Sequence, residues 1–529
     1  MLRLPTGPRM RPLTAIAAAI PLLAATACTG GDLSPGLSTV PPDRIAGVEY
    51  RAVSVEHDGA KVAYRYPAVP NAPALTREVR TVMAEAETEF MTARNAKDAD
   101  DGPAELRQDA AFLAAAPDVL GVRVRTEHKG GPDPATTWTT RWYDAESGDV
   151  LPWTALLNGE DAVGALRAEV ARVLRDDAGI AEEKLPKEFR SIKEHAAAPG
   201  AASPSPAEVD PRKAKKTAKK NAGSALADLG FDATGGLVVS LPPGSVSAEA
   251  AEQARGALLD GESRDGRRKG GALRVPIGGD AGAPLLSAFG ERAAKAARKG
   301  AGGDGDEGSG KGEPVRVAAG GAKGAPPSSI DCGRVPCVAL TFDDGPGDHT
   351  GKLLDSLDSY SAKATFYLLG QAVKGNEDVV RRMTRTGHET ANHSWKHDDL
   401  AGKSGGAVAD DMKRTDRVIE KAGGEPVRSM RPPYGSFNDT TAANVGHPVV
   451  LWDVDTLDWK HRSTKKTIRA AVDKSEPGSV VLFHDIHRPT VDAFPETLRK
   501  LHARGFHFVT VTELFDGELT DGKSYSRRK

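Results

Sequence analysis

The stretch Val338-Ala-Leu-Thr-Phe-Asp-Asp-Gly-Pro346 decides how the rest of the chain is read. A short apolar run ends in two adjacent carboxylates, and Gly-Pro then imposes a turn. A buried strand that delivers acidic side chains to a site at its carboxyl end has this form. Alone, Asp-Asp-Gly-Pro is also an ordinary turn, so its meaning rests on what answers it downstream.

From Val338 to about Leu514 apolar strands alternate with amphipathic helices. The strand candidates are Thr365-Phe-Tyr-Leu-Leu, His388-Glu-Thr-Ala-Asn, Ser429-Met-Arg431, Val449-Val-Leu-Trp-Asp, Val480-Val-Leu-Phe and His507-Phe-Val-Thr-Val. Helical spacing falls near 351–360, 377–386, 408–422, 465–474 and 491–504. This repetition predicts a parallel barrel with function at the carboxyl ends of its strands. The expected fold class is α/β: a distorted parallel (β/α) barrel as C-terminal domain, preceded by a smaller α+β domain.

Five polar clusters fall at those ends: Thr341-Phe-Asp-Asp-Gly-Pro346, His393-Ser-Trp-Lys-His397, Arg431-Pro-Pro-Tyr-Gly435, Asp455-Thr-Leu-Asp-Trp459 and Leu482-Phe-His-Asp485. His393 and His397 are four apart, so one helical turn or a tight loop points both imidazoles the same way. The adjacent-carboxylate stretch supplies an oxygen ligand. Two His and one Asp with open positions fit a catalytic zinc. The same triad suits non-haem iron oxygenases, but no redox co-substrate site is readable. Adjacent residues on a strand point to opposite sides, which predicts different roles for the two carboxylates.

In order and spacing these clusters resemble the polysaccharide deacetylase family, also called the NodB-homology or carbohydrate esterase family 4 domain, over about Val335 to Phe515. The resemblance implies that Asp344 joins His393 and His397 on a divalent metal, zinc first with cobalt or manganese as alternatives. It leaves Asp343 as general base. It also implies that the backbone N–H of Tyr434 stabilises a tetrahedral oxyanion and that Asp458 partners His484. Leu482 and Trp459 resemble the family's apolar wall for a small acyl methyl group and read equally well as core. An amide needs its amine protonated to leave. His484 is the candidate acid, its pKa raised by a neighbouring carboxylate. Arg431 is expected to hold Asp343 ionised and oriented through a charge-assisted pair. Asp455 reads as structural, and His349, His388, Asp485 and His487 receive no site role.

At 529 residues the chain is too long for one core, and Gly 57 with Pro 36 point to linkers. Lys+Arg 71 against Asp+Glu 73 gives no reason to expect nucleic acid as partner. The leader has Arg3, Arg9 and Arg11, an apolar run from about Leu13 to Ala24, and then Ala25-Thr-Ala-Cys28. It reads as a secretory signal over 1–28, too short for a membrane span. Its end resembles the bacterial lipobox, which implies lipidation of Cys28 and a membrane anchor. Ala25-Thr-Ala27 would also serve as a cleavage site releasing a soluble protein. In an oxidising compartment Cys332 and Cys337 are expected to pair and pin the strand that leads into Thr341.

Residues 29–44 read as a tether, 45–296 as the α+β domain, 297–330 as a flexible linker, 331–516 as the deacetylase-like domain and 517–529 as a polar tail. Within 45–296, strands near Val48, Tyr64, Val122 and Thr136 and helices near 76–95 and 159–176 precede Leu237-Val-Val-Ser-Leu and Leu273-Arg-Val-Pro-Ile. That order resembles the extracytoplasmic domain of RsiV-type anti-sigma factors. Trp138 and Trp142 read as half-buried strand residues rather than a sugar-stacking surface. A basic run, 212–220, inside a disordered insertion at about 195–223 reads as a solvated loop.

The expected function is a membrane-tethered, extracytoplasmic, metal-dependent N-deacetylase of cell-wall glycan, peptidoglycan before chitin. One rival is O-deacetylation of acetylated xylan at the same site. Another is a non-catalytic wall-binding or sensing lipoprotein, against which the completeness of all five clusters argues. Oligomeric state is not readable.

Overall fold

Val53 and Val55, alternating with polar residues, build β1 (Glu49–His57), and the Asp58-Gly59 turn folds it back as β2 (Ala60–Ala68). Both turn residues have positive φ, 52° and 68°, the twist that suits a tight hairpin. This computed structural model describes residues 37–95, 102–130, 135–190, 224–258, 273–300, 313–319 and 329–529. The leader, Cys28, and the insertion at about 195–223 with its basic run lie outside them.

Helix α1 (Pro73–Asn95) carries the chain over the sheet, so β3 (Ala104–Ala115) pairs with β2 in parallel. β4 (Val119–Lys129), β5 (Ala135–Asp144) and β6 (Asp149–Pro152) follow as an antiparallel meander, in the order β1-β2-β3-β4-β5-β6. Leu75, Val79 and Met83 of α1 pack with Leu106, Val122 and Val124 on one face. A second core follows from α2 (Gly159–Arg172), β7 (Leu229–Phe231), β8 (Leu237–Leu241), α3 (Ala248–Leu258), β9 (Leu273–Pro276) and α4 (Ala288–Gly300). The α+β part holds a six-stranded and a three-stranded sheet. Trp142 is fully buried in it, and Trp138 lies under the Arg123 guanidinium at 4.1 Å.

Three boundary expectations fail for one reason. A few apolar residues at bridge positions dock segments that composition alone marks as loose. In the expected tether, Val40 bridges Phe112 and Leu37 is buried. In the expected linker, Val315 bridges Ile45 and Val317 is buried against the α1 core. The expected polar tail adds a strand, described below.

The barrel begins with β10 (Cys337–Asp343), followed by α5 (Thr350–Asp358), β11 (Thr365–Leu368), α6 (Glu377–Arg385), β12 (Glu389–Asn392), α7 (Gly405–Gly423), β13 (Val449–Val450), β14 (Val454–Asp455), α8 (Thr464–Lys474), β15 (Val480–His484), α9 (Phe494–Ala503) and β16 (His507–Val509). Its strands pair in parallel in the order β12-β11-β10-β15-β14, with β16 against the start of β10. Met430 bridges Asn392 on one side and Val449 on the other, and the chain returns to β15 through Val454. That seam of single bridges is what distorts the barrel. β17 (Ser524–Tyr525), from the expected tail, pairs with β13. Phe342 lies 5.0 Å from Phe366, 5.6 Å from Phe483 and 4.8 Å from Phe494, filling the layer between strands and helices. Ala339, Tyr367, Ala391 and Val450 fill the interior.

The two parts meet along α1. Cys332 and Cys337 are disulfide-bonded, and their loop presents Arg334 to Glu85 through two bonds of 2.9 and 2.8 Å and to Glu78 at 2.5 Å. Deeper in the contact, Glu87 of α1 accepts from His502 Nε2 at 2.8 Å and pairs with Arg80 at 3.3 Å. His507 Nδ1 lies 3.8 Å from the same carboxylate. Burial pushes Glu87 up, but the His502 bond and the neighbouring cations win and hold it well below the usual carboxylate range. Glu87→Ala leaves Arg80 buried without its carboxylate and is expected to cost about 3–5 kcal/mol in denaturant unfolding. Burial, outweighing Glu87, pushes His507 down from 6.5 to about 4. The unfolded imidazole takes its proton first, so stability is full above about pH 6.5 and falls by roughly 3 kcal/mol as pH drops towards 4. His507→Gln should flatten that slope in pH-dependent thermal melts.

Candidate active site

Asp343 is the last residue of β10, and the parallel register sets it directly beside His484, the last residue of β15. Both side chains share the interior face of the barrel with Thr341 and Leu482. The strand ends there: Asp344 has φ 71°, in the left-handed region. That turn, not strand alternation, separates the two carboxylates. Both reach the same imidazole, His393 Nε2, at 3.7 Å from Asp343 and 3.5 Å from Asp344.

Asp343 is 3% exposed, so its carboxylate needs partners inside the barrel. Arg431, fully buried, donates from Nη1 to Asp343 Oδ1 and to the Thr341 hydroxyl, both at 2.8 Å. Its Nε donates to the Val450 carbonyl at 3.0 Å and its Nη2 to the Leu451 carbonyl at 2.9 Å. Tyr367 lies under the guanidinium at 4.2 Å.

The two histidines come from a tight loop rather than a helix, with Ser394 at φ 70° and His397 at φ 69°. Asn392 Oδ1 accepts from Ser394 N–H at 2.7 Å, the Ser394 hydroxyl accepts from His397 N–H at 3.1 Å, and Asp411 accepts from Trp395 N–H at 2.7 Å. Asn392 and Asp411 were not read from the sequence as site residues. The signal available was Asn392's place at the strand end just before His393. His393 Nδ1 donates to the Arg431 carbonyl at 2.7 Å, which leaves Nε2 with its lone pair towards the carboxylates. Burial holds His393 below the ordinary imidazole value against the pull of Asp343 and Asp344.

These residues fit a divalent ion. Among the described residues, Asp344, His393 and His397 are the group whose ligand atoms all lie within 4.8 Å of one another. Asp344 Oδ1 is 3.5 Å from His393 Nε2 and 3.4 Å from His397 Nε2, and it is buried with no hydrogen-bond partner. An orphaned buried carboxylate oxygen facing two imidazole nitrogens is a costly arrangement without a cation.

Asp458 is fully buried and accepts from the His484 backbone N–H at 2.8 Å, His484 Nδ1 at 2.9 Å, Trp459 N–H at 2.8 Å and the Thr490 hydroxyl at 2.7 Å. Burial pushes it up, yet these bonds hold it below the usual carboxylate value. Burial pulls His484 down, and the Asp458 bond and the charges of Asp458, Asp343 and Asp344 outweigh it, lifting the imidazole to about 9. Tyr434 sits at φ 62°, 71% exposed, its ring centroid 4.5 Å from that of His397 in an edge-on arrangement. Trp459 is 46% exposed at the mouth and Leu482 is buried beneath His484. Asp485, unassigned by sequence, is fully buried and accepts from the Thr350 hydroxyl, which in turn accepts from Gly347 N–H at 2.9 Å, bracing the turn that carries Asp344.

Residues 331–450 match the polysaccharide deacetylase family. The chitooligosaccharide deacetylase of Sinorhizobium fredii is 36% identical over 189 residues, 32% of this chain and 88% of that protein. The chain belongs to the polysaccharide deacetylase family. Longer relatives include the peptidoglycan-N-acetylglucosamine deacetylase PgdA of Listeria monocytogenes, 40% identical over 38% of this chain and 44% of that protein. The peptidoglycan-N-acetylmuramic acid deacetylase PdaC of Bacillus subtilis is 39% identical over 34% of this chain and 38% of its own length. The chain thus spans less than half the length of these two relatives. In this polysaccharide deacetylase family member, Asp344→Asn is expected to abolish retention of zinc through dialysis while Asp343→Asn keeps it. Equal retention by both variants contradicts the division of roles between the carboxylates.

Proposed function

We propose that the chain is an extracytoplasmic, metal-dependent polysaccharide N-deacetylase that hydrolyses N-acetyl groups of cell-wall peptidoglycan. The observation that carries this reading is the register that sets Asp343 beside His484, each with its own buried counter-ion, at the edge of the Asp344, His393 and His397 set. The secretory leader, the lipobox-like Cys28 and the wall-glycan substrates in the names of the longer relatives support the location and the substrate.

A divalent cation held by Asp344, His393 and His397, zinc first, supplies Lewis acidity towards water and the acetyl carbonyl. Asp343, held in place by Arg431, accepts the proton of the attacking water. The Tyr434 backbone N–H, turned by a positive φ, serves the developing oxyanion. His484, protonated well above neutral pH because of Asp458, donates its Nε2 proton to the departing amine. Leu482 beneath and Trp459 at the rim bound the space for the acetyl methyl group. An alcohol leaves without strong acid help, so the same groups would cleave esters with less demand on His484.

The test is acetate release from N-acetylated glycan by the full chain loaded with zinc. His484→Ala should lower amide hydrolysis about a hundredfold or more and hydrolysis of an activated aryl acetate far less. Equal losses on both substrates would count against His484 as the acid. Its proton is lost as pH rises through about 9, so amide turnover should fall there. Asp458→Asn should move that alkaline limb down.

A further inference from the structure

Asn392 is the last residue of β12 and is fully buried. Its neighbour Ala391 faces the barrel interior, so the Asn392 side chain turns outward to α7. There its NH2 donates to Asp416 Oδ1 at 2.7 Å and to the Met412 carbonyl at 3.2 Å. The other carboxylate oxygen of Asp416 accepts from His447 Nε2 at 2.9 Å, and His447 stands two residues before β13. A short polar chain thus ties the end of β12 to α7 and to the entrance of β13, the elements on either side of the Met430 seam.

A side-chain amide keeps its shape when its oxygen and NH2 change places, so its partners decide which way it faces. A carboxylate offers only acceptors. Asp416 therefore draws the Asn392 NH2 to itself and leaves Oδ1 to the Ser394 N–H, 2.7 Å away. Turned the other way, the amide would set its NH2 against the Ser394 N–H and its oxygen against a carboxylate. Ser394 is fully buried at φ 70°, where a residue other than glycine persists only when its neighbours hold it. Its hydroxyl in turn accepts from the His397 N–H at 3.1 Å, and His397 is itself at φ 69°. Asp416, Asn392, Ser394 and His397 are linked in one line that ends on a metal ligand. His393 does not depend on that line, because the Arg431 carbonyl fixes its ring.

We propose that Asp416 is a positioning residue for the metal: braced by His447 and acting through the Asn392 amide, it turns His397 towards the place that Asp344 and His393 share. This rests on the metal-holding role given above to those three residues. Asp416 acts from three hydrogen bonds away, through Asn392 and Ser394. Outer partners that orient a metal ligand contribute about 10–100-fold in affinity.

The test is the zinc Kd of the full chain, read by competition with a chromophoric chelator. The visible absorption of the cobalt-loaded protein and the thermal melt of the metal-free protein are measured alongside. Asp416→Leu removes both acceptors at similar volume; it should weaken zinc by about 10–100-fold and shift the cobalt bands. Asn392→Asp sets two carboxylates against each other and should weaken zinc to a similar extent. Adding Asp416→Asn to Asn392→Asp restores a donor facing an acceptor across the pair, with an oxygen still available to His447. That exchange should recover about tenfold in zinc affinity over Asn392→Asp alone. If Asp416 served only to fasten α7 to the barrel, its loss would lower the melting temperature and leave zinc Kd and cobalt bands unchanged. That result overturns the proposal, as does an exchange that recovers nothing. Where Asp416→Leu fails to fold, Asn392→Asp and the exchange decide. The readout is zinc binding, so a chain that holds zinc and releases no acetate removes the activity proposed above and not this role.

Discussion

The buried pair between Arg431 and Asp343 is the constraint on which the rest depends. Two ions out of water are tolerable only when every donor and acceptor is met, and here the guanidinium reaches Asp343, Thr341 and the carbonyls of Val450 and Leu451. Those partners lie on β10, at the end of β13 and just beyond it, across the seam where Met430 holds the barrel by single bridges. One side chain therefore closes the weakest part of the barrel and fixes the Asp343 carboxylate. Its backbone carbonyl also sets the tautomer of His393. Fold and site share the same bonds.

Backbone strain is concentrated in the same place. Of the nine positive-φ residues other than glycine among the described residues, Asp344, Ser394, His397, Tyr434 and Leu457 are in site loops. Each such position needs neighbours to hold it, and Asn392, Asp411, Asp455 and the Asp485–Thr350 pair stand next to them. Strain confined to the carboxyl ends of rigid strands is how a barrel pre-sets the geometry of its loops.

Much of this was legible because barrel strands buried on both faces leave unbroken apolar runs, and their polar ends stand out. Thr365–Leu368, Val480–His484 and helix Gly405–Gly423 fall close to their expected bounds. The companion residues of the site were not legible, since Asn392 or Asp485 differs from any strand-end polar residue only by what it touches. In the first domain, Ala104–Ala115 has too many alanines to alternate visibly, yet it forms the central strand because β2 and β4 flank it. Val40, Val315 and Tyr525 show a further limit: one or two residues at a sheet edge order a segment whose composition reads as loose.

The central claim is that this site removes acetyl groups from wall sugars as amides. The direct measurement is to treat purified peptidoglycan with the zinc-loaded full chain, digest it to muropeptides and weigh the products. The account predicts fragments that have lost one acetyl group from N-acetylglucosamine or N-acetylmuramic acid, each with a new free amine. Fragments of unchanged mass from a preparation that demonstrably holds its metal would contradict it.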